Sequence, residues 1–272
     1  MKANRIKHGE HRKLLAVFAV AALILAAIGA VIGFGRLREL YLAQCVITDM
    51  NTQVSIRPGT MVHPANIAEG LGLKLGANLA TIDFARKRRE FMQEIPNLRD
   101  LRISRTLPDK VTVIVEERTP FARLDLRGKP SATGKVVDLD GVVFYWQRGT
   151  QSLPTIREAS APGTPKGATV TGRTRAALRF LEACREPGLA ELSVLEVDVS
   201  KPDFLLATLT SYARVKISWE GMDEEQTPAS RADLCARLGN LSKAIRSKVA
   251  PQATIWNATI PNRIFADTKG EL

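Results

Sequence analysis

The run IPNLRDLRISRTLPDKVTVIVEERTPFARL, residues 95–124, alternates apolar and polar side chains on both sides of a proline-centred turn. Leu101 and Ile103 alternate with Arg102 and Ser104; Val111, Val113 and Val115 alternate with Thr112, Ile114 and Glu116. A period of two belongs to a half-buried strand, so the spacing predicts two strands joined tightly at Leu107-Pro108-Asp109-Lys110. Pro120 cannot donate to a ladder and marks an exit or an edge. Upstream, Pro64 suits the first position of a helix that stops at Gly72, with Ile67 and Leu71 on one face. Thr81 or Asp83 can cap a second helix, with Phe84, Phe91 and Ile95 inward and Pro96 closing it. Residues 45–56 read as a ragged strand ending at the turn signal Arg57-Pro58-Gly59. The order is β-α-α-β-β.

Ahead of this region, residues 14–34, LLAVFAVAALILAAIGAVIGF, carry no charge. At about 1.5 Å per residue they make a helix of about 32 Å, against a hydrocarbon core of about 30 Å. Twelve of them are Leu, Ile, Val or Phe, which favours insertion by at most about 4 to 7 kcal/mol. The stretch is longer than the apolar core of a cleaved signal peptide, so it is expected to stay as an anchor. Lys2, Arg5, Lys7, Arg12 and Lys13 precede it and only Arg36 and Arg38 follow closely. That bias predicts a cytoplasmic tail, residues 1–13, and an extracytoplasmic remainder. Of the net charge of +11 over 272 residues, residues 1–35 carry +4, so the extracytoplasmic remainder, at +7, is expected to meet lipid headgroups, wall polymers or acidic proteins, and nucleic acid is not an expected partner. Gly29 and Gly33 form a GxxxG that could pack two helices. The basic run Arg86-Lys87-Arg88-Arg89 reads as a solvated helix face that could also touch headgroups or a partner.

Beyond residue 120 short strands are expected, two of them flanking Asp138-Leu139-Asp140-Gly141. Residues 158–172 form a Pro/Gly/Ser/Thr-rich loop. A helix with Ala177, Leu181 and Cys184 on one face stops at Pro187-Gly188, and three antiparallel strands follow around Val197, residues 204–209 and residues 213–219. Ser230 and Asp233 resemble a capping box for a helix carrying Leu234, Leu238, Leu241, Ile245 and Val249. Two closing strands, residues 253–259 and 263–266, turn at Pro261-Asn262.

The stretch 95–124, the β-α-α-β-β order, the anchor and the later GKVVDLDGVVF together resemble the FtsQ/DivIB bacterial cell-division proteins. The resemblance implies an α+β chain: a transmembrane helix at 14–34, a POTRA-like domain at 44–119, a β-rich mixed domain with two helices at 120–267 and a tail at 268–272. It further implies a non-enzymatic scaffold at the division septum of the cell inner membrane, linking early and late division proteins and binding an FtsB/FtsL-like pair through its last strand. An edge strand offers unpaired N–H and C=O groups to an incoming strand. Asn262, Arg263, Ile264, Phe265 and Ala266 are the expected partner-binding residues, with Ile264 and Phe265 as anchors. Asn257 stands where the family carries an acidic residue. The alternative reading is a POTRA-containing envelope-assembly or secretion component.

Asp138 and Asp140 also resemble the opening motif of haloacid-dehalogenase-type phosphatases, in which the first aspartate attacks phosphorus. That chemistry needs a parallel sheet alternating with helices and a second acidic pair for magnesium, and the downstream pattern offers neither. Asp140-Gly141 fits a hairpin turn instead. Of the three histidines only His63 follows the anchor, which removes histidine triads and HExxH sites from consideration beyond it. Glu116, Glu117 and Arg118 are assigned structural roles. Cys45, Cys184 and Cys235, without a CxxC, imply neither a metal site nor a disulfide framework. No cofactor, metal, small-molecule substrate or catalytic residue is expected.

Overall fold

The computed structural model describes residues 4–126, 134–158, 163–224, 227–247, 250, 252–260 and 263–267. They begin with α1, Asn4–Gln44, one unbroken helix. Its segment Val20–Gln44 is, among the described residues, the helical stretch long and apolar enough to cross a membrane. The helix continues past Phe34 to Gln44, further than hydropathy indicates. Leu, Arg, Glu, Ala and Gln dominate that stretch and are good helix formers whether or not lipid surrounds them.

Two compact units follow from the contacts, residues 1–91 with 101–115, and residues 92–100 with 116–272. In the first, the region expected as one ragged strand divides into a helical turn α2, Met50–Gln53, and a short β1, Val54–Arg57. The reason is local: Asp49 accepts from the Asn51 N–H at 2.9 Å, and the Gln53 side chain accepts from the Thr48 and Asp49 N–H groups at 2.7 and 2.8 Å. Side chains thus close a turn that propensity alone does not reveal. Next come α3, Pro64–Leu71, ended by Gly72 at φ +73°, and α4, Phe84–Glu94. Asp83 caps α4, accepting from the Arg86 N–H at 3.0 Å. A side chain at Gly70 would collide with the Phe91 ring, so glycine sets how closely α3 approaches α4. The strands β2, Leu98–Thr106, and β3, Lys110–Glu117, complete a sheet of order β1-β3-β2, with β1 parallel to β3. Ile67, Leu71, Phe84, Phe91, Leu101, Val111 and Val113 are buried in this unit.

The end of α1 is tied into the same unit. The carbonyl of Leu42 accepts from Asn78 Nδ2 at 2.7 Å and from the Cys45 N–H at 3.1 Å, and Cys45 Sγ donates to Tyr41 O at 3.3 Å. Carbonyls that a helix terminus leaves orphaned are thereby satisfied. Backbone bonds from Ile47 N–H to Ala77 O, Gly76 N–H to Ile47 O and Leu79 N–H to Cys45 O, each at 2.8 Å, fasten the residues just after the helix.

The second unit contains β4, Ala122–Leu126; β5, Lys135–Val137; β6, Val143–Tyr145; β7, Thr155–Glu158; α5, Gly172–Ala183; β8, Val194–Asp198; β9, Leu205–Leu209; β10, Arg214–Ile217; α6, Pro228–Arg246; β11, Ile255–Ala258; and β12, Phe265–Asp267. Its nine described strands form a mixed sheet of order β12-β11-β10-β9-β8-β7-β4-β5-β6. The trio β8, β9 and β10 is antiparallel, as the alternation indicates, while β7 runs parallel to both β4 and β8, and β10 runs parallel to β11. One register row crosses seven of the strands: Leu124, Ile156, Val197, Ala207, Val215, Trp256, Ala266. The first six of these are buried and pack with Leu178, Phe180 and Leu181 of α5 and Leu234, Leu238 and Leu241 of α6. The adjacent row, Asp125, Arg157, Asp198, Leu206, Lys216, Asn257, Phe265, is the largely polar opposite face. Such alternation lets one face of a sheet carry the core while the other meets water.

The expected capping box at Ser230 is corrected by the structure. Helix α6 starts earlier, with Thr227 as N-cap accepting from the Ser230 N–H at 3.2 Å and Pro228 in the first turn. Proline pre-sets the helical φ and lacks an N–H that would otherwise be orphaned, which moves the start upstream. The expected turn at Pro261-Asn262, Val249 and the tail 268–272 lie outside the described residues.

Candidate functional site

The acids of the DLDG motif sit in an antiparallel hairpin, β5 to β6, with Gly141 at φ +85° and its N–H bonded to Asp138 O at 3.0 Å. Asp138 is 4% exposed. One of its oxygens accepts from Arg118 Nη1 at 2.6 Å and the other from the Val142 N–H at 2.8 Å. Arg118 also donates from Nε to Pro96 O at 3.1 Å, and its backbone N–H donates to Asn97 O at 2.8 Å. Both oxygens of Asp138 are therefore engaged, and a carboxylate so held is a poor nucleophile. Asp140 pairs with Arg99 at 3.5 Å, while its carbonyl accepts from Arg175 Nη1 at 2.7 Å. Burial, then the neighbouring Arg179, lower the pKa of Arg175 below the ordinary guanidinium range. The hairpin is a latch that fastens the chain entering β4. Sequence reasoning singles out Arg118 and Asp138 separately and misses their partnership, because nothing local links residues twenty apart.

The remaining candidate lies at the opposite edge of the sheet. Among the described strands, β12 pairs with β11 alone, in the register Ile255 to Asp267, Trp256 to Ala266 and Asn257 to Phe265. All three of its residues are exposed, Phe265 to 49%. The residues expected to bind a partner are distributed as follows. Asn262 lies outside the described residues, and Arg263 is exposed. Ile264 is half-buried against the core, beside a small dent formed with Arg237, Asn240, Ala258 and Ile260. Phe265 and Ala266 are in β12, on opposite faces. Asp267, outside the expected set, is the third residue of the strand.

Around that edge the open face is basic and polar. Lys216 neighbours Asn257 and lies over the Phe204 ring at 5.5 Å, and Arg214 neighbours Ile255. Asn257 Oδ1 accepts from the Thr259 N–H and hydroxyl at 3.0 and 2.8 Å, so it serves its own connection. The basic run of α4 is divided in role: Arg86 and Lys87 pair with Glu90, Arg88 Nε donates to Leu101 O at 2.7 Å, and Arg89 is exposed. Among the described residues no three His, Cys, Asp or Glu side chains converge as metal ligands would. The three thiols form no disulfide; burial pushes the pKa of Cys184 up, with a smaller contribution from Cys235.

Residues 52–118 match the family described as the POTRA domain, FtsQ-type. A cell division protein FtsQ from Streptomyces bingchenggensis is 27% identical over 166 residues, a match covering 61% of this chain and 52% of the relative. The chain thus spans about half the length of that curated relative. With an apolar helix in front, an FtsQ-type POTRA domain behind it and a β-rich unit after that, the chain is similar to the FtsQ/DivIB cell-division proteins.

Proposed function

We propose that the protein is a single-pass scaffold of the bacterial division machinery, with its N-terminus in the cytoplasm and its POTRA and β-rich regions outside, and that β12 accepts a strand from a division partner. The family likeness supports the division role, and the basic residues ahead of α1's apolar run support the orientation. The observation that carries the binding reading is the exposed edge strand with Phe265 on its open face. Backbone groups on the outer side of β12 supply pairing, and alternate side chains supply selectivity. Phe265 offers an apolar anchor, and Arg263 and Lys216 favour acidic residues in the incoming segment. The FtsB/FtsL-like pair that the family resemblance implies is the partner proposed here. No catalytic step is assigned to the chain.

The position of Ile264 sharpens the test. Its partial burial means that a charge there would damage packing as well as binding, whereas Phe265→Asp should leave the fold intact. Capture of the FtsB-like partner by the full chain should fall at least several-fold for Phe265→Asp, with an unchanged melting temperature. Unchanged capture would remove β12 from the interface. A fluorescent fusion should concentrate at the division site; a uniform peripheral signal would count against the division role itself.

A further inference from the structure

We propose that the surface of the β-rich unit around Arg185 binds an extended protein segment in which an Asp or Glu stands between two apolar residues, in the order apolar-x-acid-x-apolar. Arg185 follows the C-cap of α5, and its side chain is a wall common to two cavities, of about 560 Å³ and about 380 Å³. Leu181, Leu189, Leu192 and Val194 give the larger one an apolar lining. Phe121, Pro120 and Leu139 line the smaller one, and Leu139, the residue between the two acids of the DLDG turn, is 44% exposed. Both cavities lie wholly within the second unit. The β5 to β6 turn that borders the smaller cavity stands at the opposite edge of the sheet from β12, so this surface is separate from strand pairing there.

The charges select the occupant. The guanidinium of Arg185 lies over the Phe121 ring, 3.8 Å from its centroid, and Nη2 donates to Phe121 O at 3.4 Å, 64 residues away in sequence. A cation just past a helix end ordinarily serves the last carbonyls, yet this one bonds Phe121 instead. The carboxylates that line the cavities are engaged elsewhere: Asp138 by Arg118, Asp140 by Arg99 and Glu186 by Arg231. Burial lowers the pKa of Arg185 and no acidic neighbour raises it again, so among the described residues it makes no ion pair. One face of the planar group is used and its edge is open, and such an edge takes a carboxylate through two parallel hydrogen bonds. Asp138 and Asp140 repel a polyanion more than they repel a single carboxylate flanked by neutral residues. In an extended chain, side chains two residues apart point to one side at a spacing of about 6.6 Å. An acid at the centre therefore brings an apolar side chain to the cavity on either side of Arg185.

The test screens a displayed library of random short peptides against the full chain held in a lipid nanodisc. Enriched peptides should carry Asp or Glu with Leu, Ile or Phe two positions away on both sides. Their affinity should fall at least about tenfold for Arg185→Gln, the scale of a lost hydrogen bond to a charged group. Ser193→Trp, which plugs the larger cavity from an exposed position on its rim, should have a similar effect at an unchanged melting temperature. Phe265→Asp should bind these peptides as the parent does, and loss of binding there would assign them to β12 instead. No enrichment, enriched peptides without the pattern, equal competition by poly-glutamate, or full binding by either Arg185→Gln or Ser193→Trp would each overturn the assignment.

Discussion

Arg118 and Asp138 form an ion pair with side-chain exposures of 15% and 6%. Removing one member of such a pair leaves the other charged and nearly dry, a loss of about 3 to 5 kcal/mol. Asp138→Ala should lower stability by about that amount in urea unfolding, and Asp138→Asn by less, because an amide oxygen can still accept from Val142. Equal stability of Asp138→Ala and the parent would remove the latch. Glu191 behaves differently because it is more open. Hydrogen bonds from Arg246 first, then from its own N–H and from Ser242, hold its carboxyl at about 2, well below the ordinary glutamate value. A depressed folded-state pKa adds stability above the unfolded value, and that stability is lost as pH falls through the folded one. Melting temperature should therefore drop more steeply between about pH 5 and pH 2 in the parent than in Glu191→Gln. Parallel profiles would show that Arg246 and Ser242 do not hold the carboxylate in solution. Neither role is legible in the sequence, because each depends on partners brought in from twenty to more than fifty residues away.

The helices and hairpins are the legible elements where their own residues set their limits. Pro64 and Gly72 bound α3, Asp83 caps α4, and period-two alternation marks β2 and β3. Boundaries fail where two local signals compete. At α6, Ser230 with Asp233 resembles a start, yet Thr227 followed by Pro228 prevails. Thr227→Ala should cost about 1 kcal/mol in thermal or denaturant unfolding, the usual worth of an N-cap oxygen. A loss below a few tenths would mean that proline alone defines the start. Strand pairing order is not legible at all. The sheet places β4 between β5 and β7, and β11 beside β10 across the whole of α6, and such long-range neighbours leave no mark in a short window of sequence. The edge at residues 263–266 is anticipated from the resemblance; which of its side chains face outward requires the register with β11.

At the scale of the whole molecule, α1 is more than an anchor. Residues 35–44 lift the point of attachment by about 15 Å beyond the end of the apolar run, while one headgroup layer is about 5 to 8 Å deep. Because the carbonyl of Leu42 is bonded to Asn78, and Cys45 to Leu79 and Tyr41, the helix meets the POTRA region as a fixed joint. A fixed joint transmits bearing as well as height. Each residue inserted between Arg36 and Gln44 would turn everything in the first unit by about 100° around the helix axis while raising it by only about 1.5 Å. Two added alanines would swing it about 200°; seven would return it to within about 20° of its original heading despite a rise of about 10 Å. If division depends on the compass direction of the POTRA region relative to neighbours in the membrane, the seven-residue insertion should complement a depleted strain and the two-residue insertion should not. The reverse order would mean that height above the lipid, and not heading, is what the stalk supplies.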